Sequence, residues 1–383
     1  MSKQHHPPTG AQPVLTAWGK ATVKEFSEMI AAVPKERADI MSVKAEMLRE
    51  LCERLRYIKE FERFDPRELT DVVLKKEYKC VEEIRGRGGG IMCLQVLPDE
   101  RIVSAGDDGT IHIWSRGADG AWQSEVLGRR WSSDAFSCFQ VLYDGRIVSG
   151  GKDGTLRIWS RGVGGKWQSE VLEGHNDTVR CLQVFPDGRI VSGGHDGTLR
   201  VWSRGVDGAW QSEVLRGHHG IVWCLQVLPD GRIVSGGDDG TIRIWSRDVD
   251  GGLQSEVLEG DTGWVSCLQV LPDGRIVSGS YDGTLRVWSR GADGGWKSEV
   301  LRGHSGIVWC LQVLPDERIV SGGLDDTLRV WRRGAKGRWK SEVLGEHRSA
   351  VWRFQVHPDG RIFSGDGGGV LRIWDGIPVE GMT

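Results

Sequence analysis

Apolar and polar positions alternate along most of this chain, in short runs broken by turn residues. In the segment Cys224–Trp245, CLQVLPDGRIVSGGDDGTIRIW, Leu225 and Val227 stand before the turn Pro229-Asp230-Gly231. Ile233 and Ser235 follow it, and a second turn, Asp238-Asp239-Gly240, leads into Ile242 and Ile244. Period-two runs of this length between Pro, Asp and Gly predict antiparallel strands. A fourth run, Trp210–Leu215, comes after Arg204-Gly205-Val206-Asp207-Gly208. The phrase then recurs. Trp114, Trp159, Trp202, Trp245, Trp288, Trp331 and Trp374 close successive copies, spaced 45 residues once and 43 thereafter. Four strands repeated at a fixed period predict the blades of a β-propeller.

The repeat resembles the WD40 family. Gly217-His218, Asp239 and Trp245 follow that family's order and spacing, and the resemblance extends over residues 78–375. The family's usual Asp after the closing Trp is mostly Ser here (Ser115, Ser160, Ser203, Ser246, Ser289), and only Trp374-Asp375 keeps the pair. The resemblance implies an all-β, seven-bladed WD40 propeller over 78–376. The last copy stops at its third strand, which would leave an open sheet edge. Tyr78–Gly86 lines up with Gln211–Gly217 and is expected to supply the missing strand.

The family's buried hydrogen-bond tetrad carries over, by the same resemblance, to three blades. The sets are His175, Asp196, Ser192 and Trp202; His218, Asp239, Ser235 and Trp245; and His304, Asp325, Ser321 and Trp331. Other blades depart. Arg87 and Ser132 fall near the His positions of the first two, and Asp261 replaces His in the fifth, beside Asp282. The seventh has His347 but Gly368 where Asp should be. The first, second and last blades are therefore expected to be the loosest. Ser, His and Asp within one repeat look like a hydrolase triad. Their recurrence blade after blade favours a structural network, and no GxSxG elbow is present. No catalytic residue is assigned.

Composition narrows the function classes. Residues 1–77 carry a net charge of +1 and the remainder −4, giving −3 overall. Neither part is basic enough to suggest nucleic acid as the main partner. No apolar run reaches the roughly 18–20 residues of a membrane span, and the start MSKQHHPPTGAQP lacks a signal-peptide core, so a cytoplasmic location is expected. Cys93, Cys138, Cys181, Cys224, Cys267 and Cys310 share one slot of six repeats and read as small buried hydrophobes rather than a disulfide frame. No CxxC spacing exists for zinc, His5-His6 is at most a weak metal binder, and no cofactor or metal site is expected.

The first quarter differs. Residues 1–20 read as a disordered tail, and residues 21–77 as a helical region. Ile40, Val43, Met47, Leu51, Leu55, Ile58 and Phe61 recur at three- and four-residue steps, an amphipathic helix that would pack on its neighbours or serve to dock or dimerise. Asp65-Pro66-Arg67-Glu68 opens another helix. Residues 377–383 read as a tail.

Positions that change from copy to copy mark a recognition face. Val222 and Leu225 are both core-type yet three apart, so a bulge is expected at Trp223-Cys224. The bulge series runs Met92, Ser137, Arg180, Trp223, Ser266, Trp309, Trp352. Two residues earlier it runs Gly90, Ala135, Thr178, Ile221, Trp264, Ile307, Ala350. Before the turn Asp it runs Asp107, Lys152, His195, Asp238, Tyr281, Leu324, Gly367. In WD40 propellers these slots resemble those lining the upper rim of the channel. Ile221, Trp223, Trp264, Tyr281, Ile307, Trp309, Leu324 and Trp352 would form an apolar arc, and Asp107, Lys152, Arg180 and His195 a polar one. A second series, Trp122, Trp167, Trp210, Trp296 and Trp339, is nearly constant and is assigned to blade packing. The expected function is a non-catalytic scaffold or adaptor for a protein or peptide partner. The alternatives are a substrate-recognition subunit of a ubiquitin-ligase-type complex and, less favoured, an enzyme with a site in the channel.

Overall fold

The computed structural model describes residues 76–378, apart from 86–88, 130–135, 143, 261–262, 315–316, 335–336 and 358–359. They belong almost wholly to one compact unit, Tyr78–His357 with Ile362–Asp375. The expected tail 1–20, the helices up to residue 75 and the dimerising helix lie outside the described residues.

Seven four-stranded sheets follow one another, each built from consecutive strands except the last. Blade 4 is typical, with strands Val222–Val227, Ile233–Gly237, Ile242–Arg247 and Leu253–Leu258 in that order. In blade 7 the strands Val351–Val356, Ile362–Asp366 and Val370–Pro378 are completed by Lys76–Arg85, from the other end of the propeller sequence. That strand starts two residues before Tyr78, so Lys76 and Glu77 are extended rather than part of the helical region. Its partner strand runs on to Pro378, into the span read as a C-terminal tail.

The core lies between blades rather than inside them. Ile242, Ile244 and Leu258 of blade 4 pack with Val265, Ile276 and Trp288 of blade 5. Each such side chain contributes about 1.5–3 kcal/mol. The approach of adjacent blades is so close that a Cβ on Gly236 would lie 2.4 Å from Val265 Cγ1. This explains the glycine at that slot.

A ring of glutamines ties the blades together. The Oε1 atoms of Gln95, Gln140, Gln183, Gln226, Gln269 and Gln312 accept the backbone N–H of Val141, Val184, Val227, Val270, Val313 and Val356, each on the next blade, at 2.6–2.9 Å. Gln355 closes the circle on Val96 at 2.7 Å. The outer strands are linked too. Glu82 of the closing strand receives Arg116 at 2.7 Å and the Trp122 indole N–H at 2.9 Å. Arg161 and Trp167 repeat this on Glu125, Arg290 and Trp296 on Glu256, and Arg333 and Trp339 on Glu299. In each case the guanidinium stacks on the indole at 4.6–4.9 Å. Four of the five constant Trp residues thus join the edge of one blade to the next; Trp210 stacks under Arg204, which reaches Glu170, but its own Nε1 makes no such bond. Such exposed ion pairs contribute little singly, about 0–1 kcal/mol.

Candidate functional site

The Ser, His and Asp sets form closed internal chains. The Trp202 indole N–H donates to Ser192 Oγ at 2.8 Å, Ser192 meets His175 Nε2 at 2.8 Å, and His175 Nδ1 faces Asp196 Oδ2 at 3.0 Å. His218, Asp239, Ser235 and Trp245 repeat this at 2.8–3.1 Å, and His304, Asp325, Ser321 and Trp331 at 2.7–2.9 Å. Burial alone would raise the Asp196 carboxyl. The hydrogen bonds from His175 and the Asn176 N–H outweigh it and hold the group well below the usual carboxylate range. Ser192, Ser235 and Ser321 are completely buried, so none can meet a substrate.

Blades 1, 2 and 5 keep the Trp-to-Ser bond, Trp114 to Ser104, Trp159 to Ser149 and Trp288 to Ser278, at 2.8–2.9 Å. Arg87, Ser132 and Asp261 lie outside the described residues. Blade 7 departs from the sequence expectation. With Gly368 at the Asp slot, His347 Nδ1 is met at 3.0 Å by Asp366, two residues earlier, and Nε2 by Ser364 at 2.7 Å. The backbone explains the substitution. At the equivalent Gly237 a Cβ would sit 2.5 Å from His218 Nδ1, so a carboxylate on that slot reaches the imidazole.

The variable slots stand side by side. All seven inner strands slip by one residue, leaving Met92, Ser137, Arg180, Trp223, Ser266, Trp309 and Trp352 as bulge residues. The other two series are joined by backbone bonds: Asp107 N–H to Gly90 O, His195 to Thr178, Asp238 to Ile221, Tyr281 to Trp264, Leu324 to Ile307 and Gly367 to Ala350, at 2.8–3.1 Å.

Six side chains from four blades converge. Trp223 stacks on Trp264 with centroids 5.6 Å apart and rings 14° from parallel. Trp309 tilts against Trp223 at 6.0 Å, and Tyr281 against Trp264 at 4.4 Å. The Arg180 guanidinium lies 4.7 Å from the Trp223 ring centroid, and His195 is 6.0 Å from that ring. Sequence patterning had placed Arg180 and His195 on a separate polar arc; the structure sets them against the aromatics. Trp264 and Tyr281 are exposed, at 38% and 48%. Within the cluster Trp223 Nε1, Trp309 Nε1, His195 Nε2 and Arg180 Nε have no hydrogen-bond partner among the described residues. Burial first, and then the Arg180 charge, lower the pKa of His195, which favours the neutral imidazole.

The remaining rim residues divide. Leu324 is exposed at 48%, Ile221 is half-buried and Lys152 and Asp107 are exposed, whereas Ile307 is buried at 9%. Trp352 is seated on backbone, since a Cβ on Gly90 would lie 2.5 Å from its ring and one on Gly367 3.2 Å. It acts as packing between blades 7 and 1. Among the described residues no group of three or more His, Cys, Asp or Glu side chains is placed to hold a metal. No helix among them is long and apolar enough to cross a membrane.

Seven segments match the family model described as WD domain, G-beta repeat: 78–115, 129–160, 166–203, 210–246, 252–289, 295–332 and 339–375. Six of the seven matched units pair the outer strand of one blade with the first three of the next, the first of them beginning with the closing strand; the second, 129–160, starts at the last residue of Trp122–Arg129. Among solved structures the chain is similar to the crystal structure of the WD40 beta propeller domain of Doa1. The two are 24% identical with a TM-score of 0.66, over 78% of this chain and 97% of that one. At that identity the likeness concerns the fold. No curated protein matches.

Proposed function

The chain belongs to the WD40 family, and from that premise we propose that its propeller is a non-catalytic scaffold that binds a protein or peptide partner on the upper rim. The observation that carries this reading is the convergence of Arg180, His195, Trp223, Trp264, Tyr281 and Trp309 from blades 3 to 6. Aromatics and Arg are the residues that interfaces use as anchors. Two of these aromatics are exposed, and four polar atoms beside them lack partners among the described residues. Ordinary cores leave few such atoms unpaired. Leu324, Ile221, Lys152 and Asp107 would form the surround, while Ile307 and Trp352 support it from below.

The test is affinity capture from native extract by the full chain, with quantitative mass spectrometry. Wild type is compared with Trp264→Ala/Tyr281→Ala, which removes exposed rings and should leave the fold intact. A partner retained by wild type and lost from the variant supports the rim. Partners held equally by both, with unchanged melting temperature, would move recognition elsewhere.

A further inference from the structure

The slot after each bulge residue holds Cys in six blades and Arg353 in the seventh. The thiols point across to the neighbouring blade, as Cys93 Sγ to Ser137 O at 3.1 Å and Cys224 Sγ to Val265 O at 3.5 Å. Burial pushes Cys181 up to about 12, and Cys93, Cys138, Cys224 and Cys310 upward as well, so these thiols stay neutral and supply no countercharge. Arg353 directs Nη1 at the carbonyls of Trp309 and Trp352, at 3.1 and 2.9 Å. Arg180 lies over Trp223, whose ring meets Trp309. Two guanidiniums and two free indole N–H groups therefore line one stretch of the channel. Among the described residues no carboxylate forms an ion pair with either Arg180 or Arg353. Burial and then the nearby Arg353 charge lower the pKa of Arg180. Like charges held together away from bulk water without a counterion are costly.

We propose that this stretch of the channel binds an oxyanion, a carboxylate or a phosphate, with Arg180 and Arg353 supplying the charge and Trp223 and Trp309 donating their indole N–H groups. Guanidinium-to-oxyanion bonds are the strong, geometrically selective kind. The proposal deepens the rim reading by naming the chemistry of the group a partner would insert. Its probe is partner-free, so its failure leaves recognition by the aromatic rim untouched.

Isothermal titration of the full chain with inorganic phosphate, and separately with acetate, at constant ionic strength decides it. Saturable binding of at least one anion is expected, weakened ~10-fold or more by Arg180→Gln and by Arg353→Cys. Arg353→Cys places in blade 7 the residue the other six blades already accommodate, so folding is retained, and melting curves verify this. Trp309→Phe keeps the ring but removes the donor, and should weaken binding ~5-fold. Stronger binding of phosphate identifies a phosphate-bearing ligand; equal or stronger binding of acetate identifies a carboxylate. No saturable binding of either anion to folded wild type overturns the proposal, as does binding that survives in the Arg180→Gln/Arg353→Cys double variant.

Discussion

The side-chain carbonyl of Gln355 accepts the backbone N–H of Val96 at 2.7 Å, so the last inner strand holds the first across 259 positions of sequence. Gln355→Ala leaves that N–H without its partner. The expected loss is about 1–3 kcal/mol in urea unfolding. Gln269→Ala, in the middle of the ring, should lose the same, because the contact to Val313 is the same. Unchanged midpoints in both would show that the glutamines contribute nothing net.

The closing strand gives a second prediction. Lys76–Arg85 brings buried Ile84, the Glu82 bonds to Arg116 and Trp122, and Glu83 bonded to Arg372 at 2.9 Å. Deleting residues 76–85 bares the edge of Val370–Pro378 and should yield aggregated protein. Deleting 1–20 should leave melting unchanged. Light scattering and calorimetry on the two truncations compare them, and equal behaviour would contradict the structural role of the strand.

Blade 7 offers a rescue experiment. Asp366→Gly removes the acceptor of His347 Nδ1 and should cost about 1–3 kcal/mol. Adding Gly368→Asp returns a carboxylate to the slot used in blades 3, 4 and 6. A Cβ there would meet Asp366 Oδ1 only at 3.3 Å, an atom the first substitution removes. The double variant should regain most of the loss by thermal unfolding.

Asp326 has φ of 63°, in the left-handed region, where the equivalent residue of every other blade is a glycine with positive φ, such as Gly240. Relieving the Cβ strain is worth roughly 1–2 kcal/mol, and the extra freedom of glycine when unfolded takes back part of it. Asp326→Gly should therefore stabilise the protein by about 1 kcal/mol or less, read as a small rise in unfolding midpoint.

Acid should destabilise the propeller in two stages. Burial lowers the pKa of His304 and His347 in spite of their Asp partners. The unfolded chain then binds more protons than the folded one below the ordinary value of 6.5, so stability falls as pH drops through that value. Asp196, Asp239, Asp325 and Asp366 are held below their ordinary 3.8 by hydrogen bonds that outweigh burial. Their contribution is full above 3.8 and is lost as pH falls toward the folded values. Melting temperatures from pH 8 to 3 should be flat, then decline below about 6.5, then decline again below about 4. A flat profile from pH 7 to 5 would refute the first stage.

Blade number and strand order were legible in the repeat itself, and the three regular tetrads were implied only by the family resemblance, which carries them over position by position because each lies within one 43-residue copy. What crosses between blades was harder to read. The glutamine follows Leu or Phe in every copy, yet an invariant polar residue in an amphipathic strand looks solvent-facing until its neighbour's backbone is in place. Asp366 was missed because its slot is occupied by Gly or Ser elsewhere, and its reach to His347 depends on closeness in space. Arg180 and His195 were sorted by polarity, whereas the ring sets their blade next to the one bearing Trp223, where a cation finds an aromatic face.

The stitching residues and the variable residues occupy different positions of the same strand. Gln226 holds the neighbouring blade while Trp223, three places earlier, bulges free of the pairing. A change at the bulge leaves all seven amide links in place. Near-identical copies can therefore exchange by recombination, moving single side chains around the circle as letters are moved in a combination lock. The mechanical frame and the side chains proposed to recognise a partner can be inherited separately.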